Sequence, residues 1–312
     1  MNAIKITGLR KTYGQVKALD GLDLEIPTGS VFGFLGPNGA GKTTTLRILA
    51  GLARQSGGEV ELNGKPLIAF TGNQSIGYLP EEPAFYPWMS PLETLDYIGS
   101  IFHLNAKDRR TRAEELLELT GLKEVAKRRV GGFSRGMRQR LGLAQALVNH
   151  PAILLLDEPV SALDPIGRKE ILEMISALGK ECTVVMSTHI LADVERVCDT
   201  IAILYQGKRI LQSGREELLQ HYATPALELE FNNGDAGNVE NIEKELKQCP
   251  SVNGIKREEH ILRLSVNDIA QAQVEVMKVI LAAKLSFERF DIVKPSLEEI
   301  FVHLVGAEGG TK

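Results

Sequence analysis

The sequence predicts an α/β fold: an open sheet built around a phosphate-binding loop, followed by a smaller α+β unit. Three observations carry this. The glycine-rich stretch Gly36-Pro37-Asn38-Gly39-Ala40-Gly41-Lys42-Thr43 lies between a short apolar strand and a helix of apolar spacing. Two apolar runs, 152–156 and 182–186, read as strands buried on both faces, and both end in polar residues. Beyond Tyr222 the chain switches to a β-α-β-β-α-β order, the pattern of a small ferredoxin-like domain.

The loop follows G-x-x-x-x-G-K-[ST], the P-loop of nucleoside-triphosphate-binding folds. Its glycines let backbone N–H groups converge on phosphate oxygens, and the following helix N-terminus adds partial positive charge. Lys42 is placed to reach the β- and γ-phosphates, and the Thr43 hydroxyl to take a Mg²⁺ position. A chance glycine turn before a helix is the competing reading. The strand at Ser30–Leu35 and the helix at Thr44–Ala50 argue against it, and a nucleoside triphosphate is the expected ligand.

With 312 residues, 43% hydrophobic and 24% charged, the chain has material for one large domain or two. A net charge of -4 gives no basic footprint for nucleic acid. No basic-then-apolar start marks a secretory signal, and no uninterrupted apolar run approaches the roughly 18 residues of a membrane span. Any membrane role is therefore expected to run through a partner. Cys182, Cys198 and Cys249 lack ligand-like spacing and read as buried, reduced thiols.

In chain order, Ile4–Leu9 and Ala18–Ile26 alternate as half-exposed strands, with turns at Tyr13-Gly14 and Pro27–Gly29. Tyr13, upstream of the phosphate loop, is a candidate platform for a purine. Gly57–Lys65 reads as a hairpin with an Asn-Gly turn, and Ser75–Pro80 as a short strand. A loop rich in proline and aromatic residues, Glu81–Trp88, comes next. Helices at Leu92–Leu104 and Lys107–Thr120 mark a helical subdomain, about 82–150, inserted into the sheet domain. Phe133–Met137 then opens a helix with Met137, Leu141, Ala144, Leu147 and Val148 on one stripe. Ser134 there is either an N-cap or, between glycines, part of an anion acceptor.

The first apolar run ends at Asp157-Glu158-Pro159, where open α/β sheets bind their ligands. Asp157 suits a Mg²⁺ shell, usually through water, and Glu158 suits orientation or deprotonation of an attacking water. A solvated acidic turn is the alternative, disfavoured by the phosphate loop. Ser161–Pro165 caps a helix over Ile166–Leu178. The second run ends in Ser187-Thr188-His189, which puts His189 on the same rim. A strand at Thr200–Leu204 and a turn at Tyr205–Lys208 complete this sheet.

The order of these motifs resembles the ATP-binding subunit of ABC transporters, over residues from about 2 to 220. The resemblance implies ATP and Mg²⁺ as cofactors and an ATPase activity. It makes Tyr13 the adenine-stacking aromatic and residues 36–43, with Thr44 beside them, the Walker A loop. Asp157 and Glu158 become the Walker B aspartate and general base, Ser161–Asp164 the D-loop, and His189 the switch histidine. Ser134 and Gly136, in the signature segment Phe133–Met137, would close over ATP held by a second copy.

Two positions depart from the usual family pattern. Glu81 stands in place of a glutamine whose oxygen approaches Mg²⁺, and as a metal-site residue it can still donate an oxygen while bringing a charge; Arg135 stands in place of the second paired glycine. Both variants are similar to the branch serving ABC-2-type exporters, which move drugs, polysaccharides, lipids or sodium. The resemblance thus implies a homodimer, or a heterodimer with a similar ATPase, beside a separate transmembrane permease. It also implies a place at the cytoplasmic face of the cell membrane, and no nucleic-acid partner.

On this reading residues 1–220 are the ATPase domain and 222–312 an accessory domain resembling the one that branch carries. The tail is expected as a strand at Leu227–Phe231, a helix at Val239–Gln248 and strands at Ser251–Arg257 and His260–Val266. A helix at Ile269–Lys284, a strand at Phe287–Val293 and a last helix from Pro295 finish it, and a dimerisation or regulatory surface is its expected role. Two rivals fit less well. A repair-type ABC ATPase carries a long coiled coil and a ribosomal type two cassettes per chain; neither pattern is present. Intact Lys42, Asp157, Glu158 and His189 argue against a module that binds nucleotide without turnover.

Overall fold

The computed structural model describes residues 1–67, 76–161, 163–221, 226–231, 242–283, 286–293 and 300. The chain divides into two compact units, Met1–Arg215 and Glu216–Lys312, with the boundary at the start of helix α7 (Arg215–His221).

The first unit opens with a hairpin of β1 (Asn2–Tyr13) and β2 (Val16–Pro27), longer than the alternating segments predict. Its turn sits at Gly14-Gln15 rather than Tyr13-Gly14, because Tyr13 pairs with Val16 across the ladder. β4 (Gly57–Leu62) pairs antiparallel with β1, and β5 (Lys65–Pro66) returns through Asn63-Gly64. Both turn residues have positive φ, 50° and 73°, as a two-residue hairpin of this hand requires. The result is an antiparallel sheet of order β2-β1-β4-β5.

A second sheet runs β10-β9-β3-β8-β7-β6. Its strands are β3 (Val31–Leu35), β6 (Ile76–Leu79), β7 (Ile153–Asp157), β8 (Thr183–Thr188), β9 (Thr200–Tyr205) and β10 (Lys208–Gly214). All neighbours are parallel except β10, which lies antiparallel at the edge. Every residue of β3, β7 and β8 is buried, which is why these strands read as apolar runs rather than alternations. One core joins the sheets: Ile4, Leu22 and Leu24 pack in the same buried cluster as Phe32, Phe34, Leu155 and Val185. Each such side chain contributes roughly 1.5–3 kcal/mol by leaving water. The parallel order has one consequence for function. The carboxyl ends of β3, β8, β7 and β6 stand side by side on one rim.

Helix α1 (Lys42–Leu49) follows β3. Between β6 and β7 come α2 (Pro91–Ile101), α3 (Ala106–Leu119) and α4 (Arg135–Ala146). The first of these begins at Pro91 rather than Leu92. Proline suits the first helical position, and Ser90 and Glu93 form a reciprocal capping box. It stops at Ile101, before His103 turns the chain at φ 60°. Asn105 caps α3 and Ser134 caps α4. α5 (Pro165–Leu178) and α6 (Leu191–Val197) flank β8 in sequence. Among the described residues no helix is long and apolar enough to cross a membrane.

The second unit is a four-stranded antiparallel sheet of β11 (Ala226–Phe231), β12 (Val252–Glu258), β13 (Ile261–Val266) and β14 (Phe287–Val293), in the order β12-β13-β11-β14. Helix α8 (Ile269–Ala282) and helical turns at 242–246 cover one face. Leu227, Leu229, Phe231, Leu262 and Leu264 pack there against Leu246, Val276 and Ile280. This is the ferredoxin-like arrangement. Ser75, Ala162, the start of the helix read from Val239 and, apart from Ile300, the last helix read from Pro295 lie outside the described residues. Of the three thiols, Cys182 and Cys198 are buried but Cys249 is only partly so, since it follows the final turn of the 242–246 helix.

Candidate functional site

The loop after β3 is shaped by positions that only glycine fills. Gly39 and Gly41 have φ of 82° and 106°, and a Cβ on Gly41 would stand 2.6 Å from Leu19 Cδ2 and 2.9 Å from the Ala18 carbonyl. No side chain caps the α1 N-terminus that follows, so its first N–H groups are left to meet an anion. Lys42, only 6% exposed, reaches back over the loop. Its Nζ donates to the Gly36 carbonyl at 2.7 Å and the Pro37 carbonyl at 3.3 Å, and lies 3.8 Å from Glu158 Oε1. Burial holds its pKa below the ordinary lysine value, against the raising pull of Glu158, then Asp157, then Glu81.

At the end of β7, Asp157 Oδ1 accepts from Thr43 Oγ1 at 2.9 Å and from Ser187 Oγ at 2.7 Å. Glu158, next in the chain, adopts φ 48°, a left-handed conformation that costs a non-glycine residue about 1–3 kcal/mol. Its N–H donates to the Ser187 carbonyl at 3.2 Å and to Ser187 Oγ at 3.1 Å, which holds the strained turn in place. The carboxylate sits between Lys42 and His189, whose Nδ1 is 3.0 Å from Glu158 Oε2.

A cavity of about 310 Å³ opens over these groups, lined by Val16, Lys17, Ala18, the loop from Asn38 to Thr44, Glu81, Glu158 and His189. Its size is that of a small-molecule site. The fold thus gathers Lys42, Thr43, Thr44, Glu81, Asp157, Glu158 and His189 from four strand ends. Gly36 and Pro37 serve through their carbonyls on Lys42. Tyr13 does not line the cavity. It ends β1, with Lys11 Nζ 4.5 Å above its ring, and the wall comes from Val16–Ala18 on the facing strand. Ser134 and Gly136 also lie off this cavity, at the start of α4. Ser134 Oγ accepts from the Met137 N–H at 3.2 Å, and a Cβ on Gly136 would come within 2.9 Å of Leu163 Cδ2.

Ser187 escaped sequence reasoning. The signal was a small polar residue ending an apolar strand, but only the parallel register, Asp157 opposite Ser187, gives it three hydrogen bonds to the acid pair. Tyr78, whose pKa burial raises with Asp157 adding to the shift, escaped for the same reason. The donors present suit Mg²⁺. A threonine hydroxyl and a carboxylate, hard oxygens held 2.9 Å apart beside a phosphate cradle, are what that ion uses when phosphate supplies further ligands. Among the described residues, no group of three or more His, Cys, Asp or Glu is placed to hold an ion by itself.

Known proteins resemble this chain. Residues 19–161 match the family model described as ABC transporter, and residues 215–305 the one described as ATP-binding protein DrrA1-3-like, C-terminal domain. The ABC transporter ATP-binding protein YxlF of Bacillus subtilis (strain 168) is 37% identical, over 97% of this chain and 100% of its own. The daunorubicin resistance ATP-binding protein DrrA3 of Streptomyces coeruleorubidus is 34% identical, over 99% of this chain and 98% of its own. Among solved structures, the dimeric post-hydrolysis state of the ATP-binding cassette MJ0796, bound to ADP and Pi, matches with a TM-score of 0.63 and 28% identity. That match covers 68% of this chain and 98% of the other.

The chain belongs to the ATP-binding subunits of ABC transporters. Within them it falls in the branch of DrrA-type ATPases of ABC-2 exporters, which carries this C-terminal domain, and it is an ATPase.

Proposed function

We propose that this chain hydrolyses Mg²⁺-bound ATP on the rim formed by Lys42, Glu158 and His189, and so drives a separate transmembrane permease. One observation supports this above the others: a carboxylate, 7% exposed, stands 3.8 Å from the phosphate-loop ammonium and 3.0 Å from an imidazole nitrogen. When triphosphate enters the cradle, Lys42 exchanges its Glu158 partner for phosphate oxygens, and Glu158 is released to accept a proton from water. His189 keeps that carboxylate turned toward the cavity. Thr43 and Asp157 would hold the metal, which would supply neutralisation of charge on the phosphates.

Two copies facing each other complete each site, Ser134 and Gly136 of one meeting the nucleotide on the other's loop. Two facts support this: both residues lie away from their own cavity, and the matched MJ0796 cassette is dimeric. The permease holds the assembly at the cytoplasmic face of the membrane. The docking point we assign is the loop after β6. Tyr86 and Trp88 stack there, centroids 5.0 Å apart, while remaining 52% and 63% exposed. Exposed aromatics of this kind anchor interfaces. Trp88→Ala is expected to reduce recovery of a co-expressed permease with the tagged subunit, at unchanged thermal stability of the subunit alone. Equal recovery, or loss of folding without a specific assembly defect, would remove the docking role.

Glu81 gives a second test, of nucleotide and metal together. It lines the cavity with Lys42 and adds a negative charge beside the γ-phosphate, unfavourable until Mg²⁺ arrives. Glu81→Gln is expected to improve metal-free ATP binding by about 3- to 10-fold, the scale of one screened charge contact, and to shrink the gain from Mg²⁺. Titrations with Mg²⁺ and with EDTA measure both. The same Mg²⁺ dependence in both proteins would mean that Glu81 turns away from the nucleotide.

A further inference from the structure

We propose that the ion pair between Arg168 and Asp193 is a positioning device for the Glu158–His189 contact. The inference rests on the reading above, in which Glu158 accepts a proton from water and His189 orients its carboxylate.

His189 stands two residues ahead of α6 (Leu191), and Glu158 is joined to α5 (Pro165) by a longer turn. Behind Glu158, Ser161 turns back on its carbonyl through both N–H and Oγ, at 3.3 and 3.2 Å. Asp164 then caps α5 through the Gly167 N–H at 3.3 Å. Behind His189, the Ile190 N–H donates to Thr188 Oγ1 at 3.0 Å, and α6 begins one residue later. The β7–β8 register, with Asp157 opposite Ser187, brings the two residues together, and the spacing between α5 and α6 acts on their contact from behind.

Arg168 on α5 and Asp193 on α6 bridge the two helices. Arg168 Nε and Nη2 both reach Asp193 Oδ1 at 2.7 Å. Asp193 is 1% exposed, and its Oδ2 has no hydrogen-bond partner among the described residues. A buried carboxylate with one oxygen unbonded is a poor device for stability, since an apolar pair of similar volume packs as well or better. What a planar fork on one oxygen does supply is direction, fixing how far apart and in what rotation the helices lie. The second tie, Arg196 to Glu173 at 3.0 Å, is solvent-exposed and a weak constraint by comparison.

The test is a cycle on the full-length chain, read by single-turnover ATP hydrolysis and by ATP affinity. Asp193→Asn should slow hydrolysis by about ten-fold or more, because misplacing a reacting group by about 1 Å costs up to about 10²-fold, and leave ATP affinity within about two-fold. In a His189→Ala background the same substitution should cost less than about two-fold, since no ring remains to be placed. Should Asp193→Asn fail to fold, Arg168→Lys keeps the charge, loses the fork and enters the same cycle. Arg196→Ala should leave the rate unchanged. Additive losses in the cycle, or a parallel loss of ATP affinity, would make the pair merely structural and overturn the inference. If His189→Ala alone leaves hydrolysis intact, it is the reading of His189 that fails, and the inference with it.

Discussion

Replacing Glu158 with glutamine is expected to cut ATP turnover by about 10²- to 10⁴-fold, the usual worth of a positioned general base. ATP binding should change little. Lys42 keeps its hydrogen bonds to the Gly36 and Pro37 carbonyls, the glycine loop is untouched, and the amide fills the same space beside His189. Removing a buried negative charge next to the triphosphate should, if anything, favour the nucleotide. With binding intact and hydrolysis blocked, the doubly occupied dimer should accumulate. Analytical ultracentrifugation with ATP and Mg²⁺ would register it as a shift from monomer to dimer that wild type shows only transiently. Near-normal steady-state ATPase in this variant would remove Glu158 from its role.

Lys42→Met acts on the other half of the site and should have the opposite signature. The ammonium makes charge-assisted hydrogen bonds, each worth about 1.5–3 kcal/mol when buried, so its loss should weaken ATP binding by about 10- to 100-fold or more. The side chain also faces Glu158 at 3.8 Å, both groups being largely buried. Removing the cation alone leaves that buried carboxylate with only His189 beside it, and the thermal midpoint should fall. Adding Glu158→Gln should recover much of the midpoint and none of the affinity. Calorimetric titration with ATP and thermal melts of the three variants separate the two effects. Full ATP affinity in Lys42→Met would mean that the loop holds phosphate through its backbone alone.

The two substitutions also divide the site by how far it could be read without a fold. The cradle was fully legible, because one unbroken stretch, Gly36 to Thr43, carries glycine freedom, helix start, ammonium and hydroxyl together. Asp157 and Glu158 were legible because an apolar strand that ends in two carboxylates is a local anomaly. Most strands and helices followed from period, caps and turns, all encoded within a few residues, but α6, the edge strand β10 and α7 were not read in the sequence. Ends moved where a cap, a ladder pair or a left-handed residue overrode the pattern, as at Pro91, Tyr13 and His103.

Tertiary structure decided the rest. Ser187 supports both acids only because β8 lies parallel beside β7 in one register, and strand order is not written in hydrophobic period. Glu158 meets Lys42 and His189 only through a left-handed turn that its own propensity disfavours. The cavity wall takes in Val16–Ala18 and not Tyr13, which pairs with Val16 at the end of the β1–β2 hairpin. Arg168 and Asp193 look in sequence like solvent-facing helix charges, and only the packing of α5 on α6 buries the carboxylate. By itself the sequence determined the groups whose chemistry lies within one turn or one strand end. The fold alone decided the pairings between distant segments, because their energy depends on which elements become neighbours.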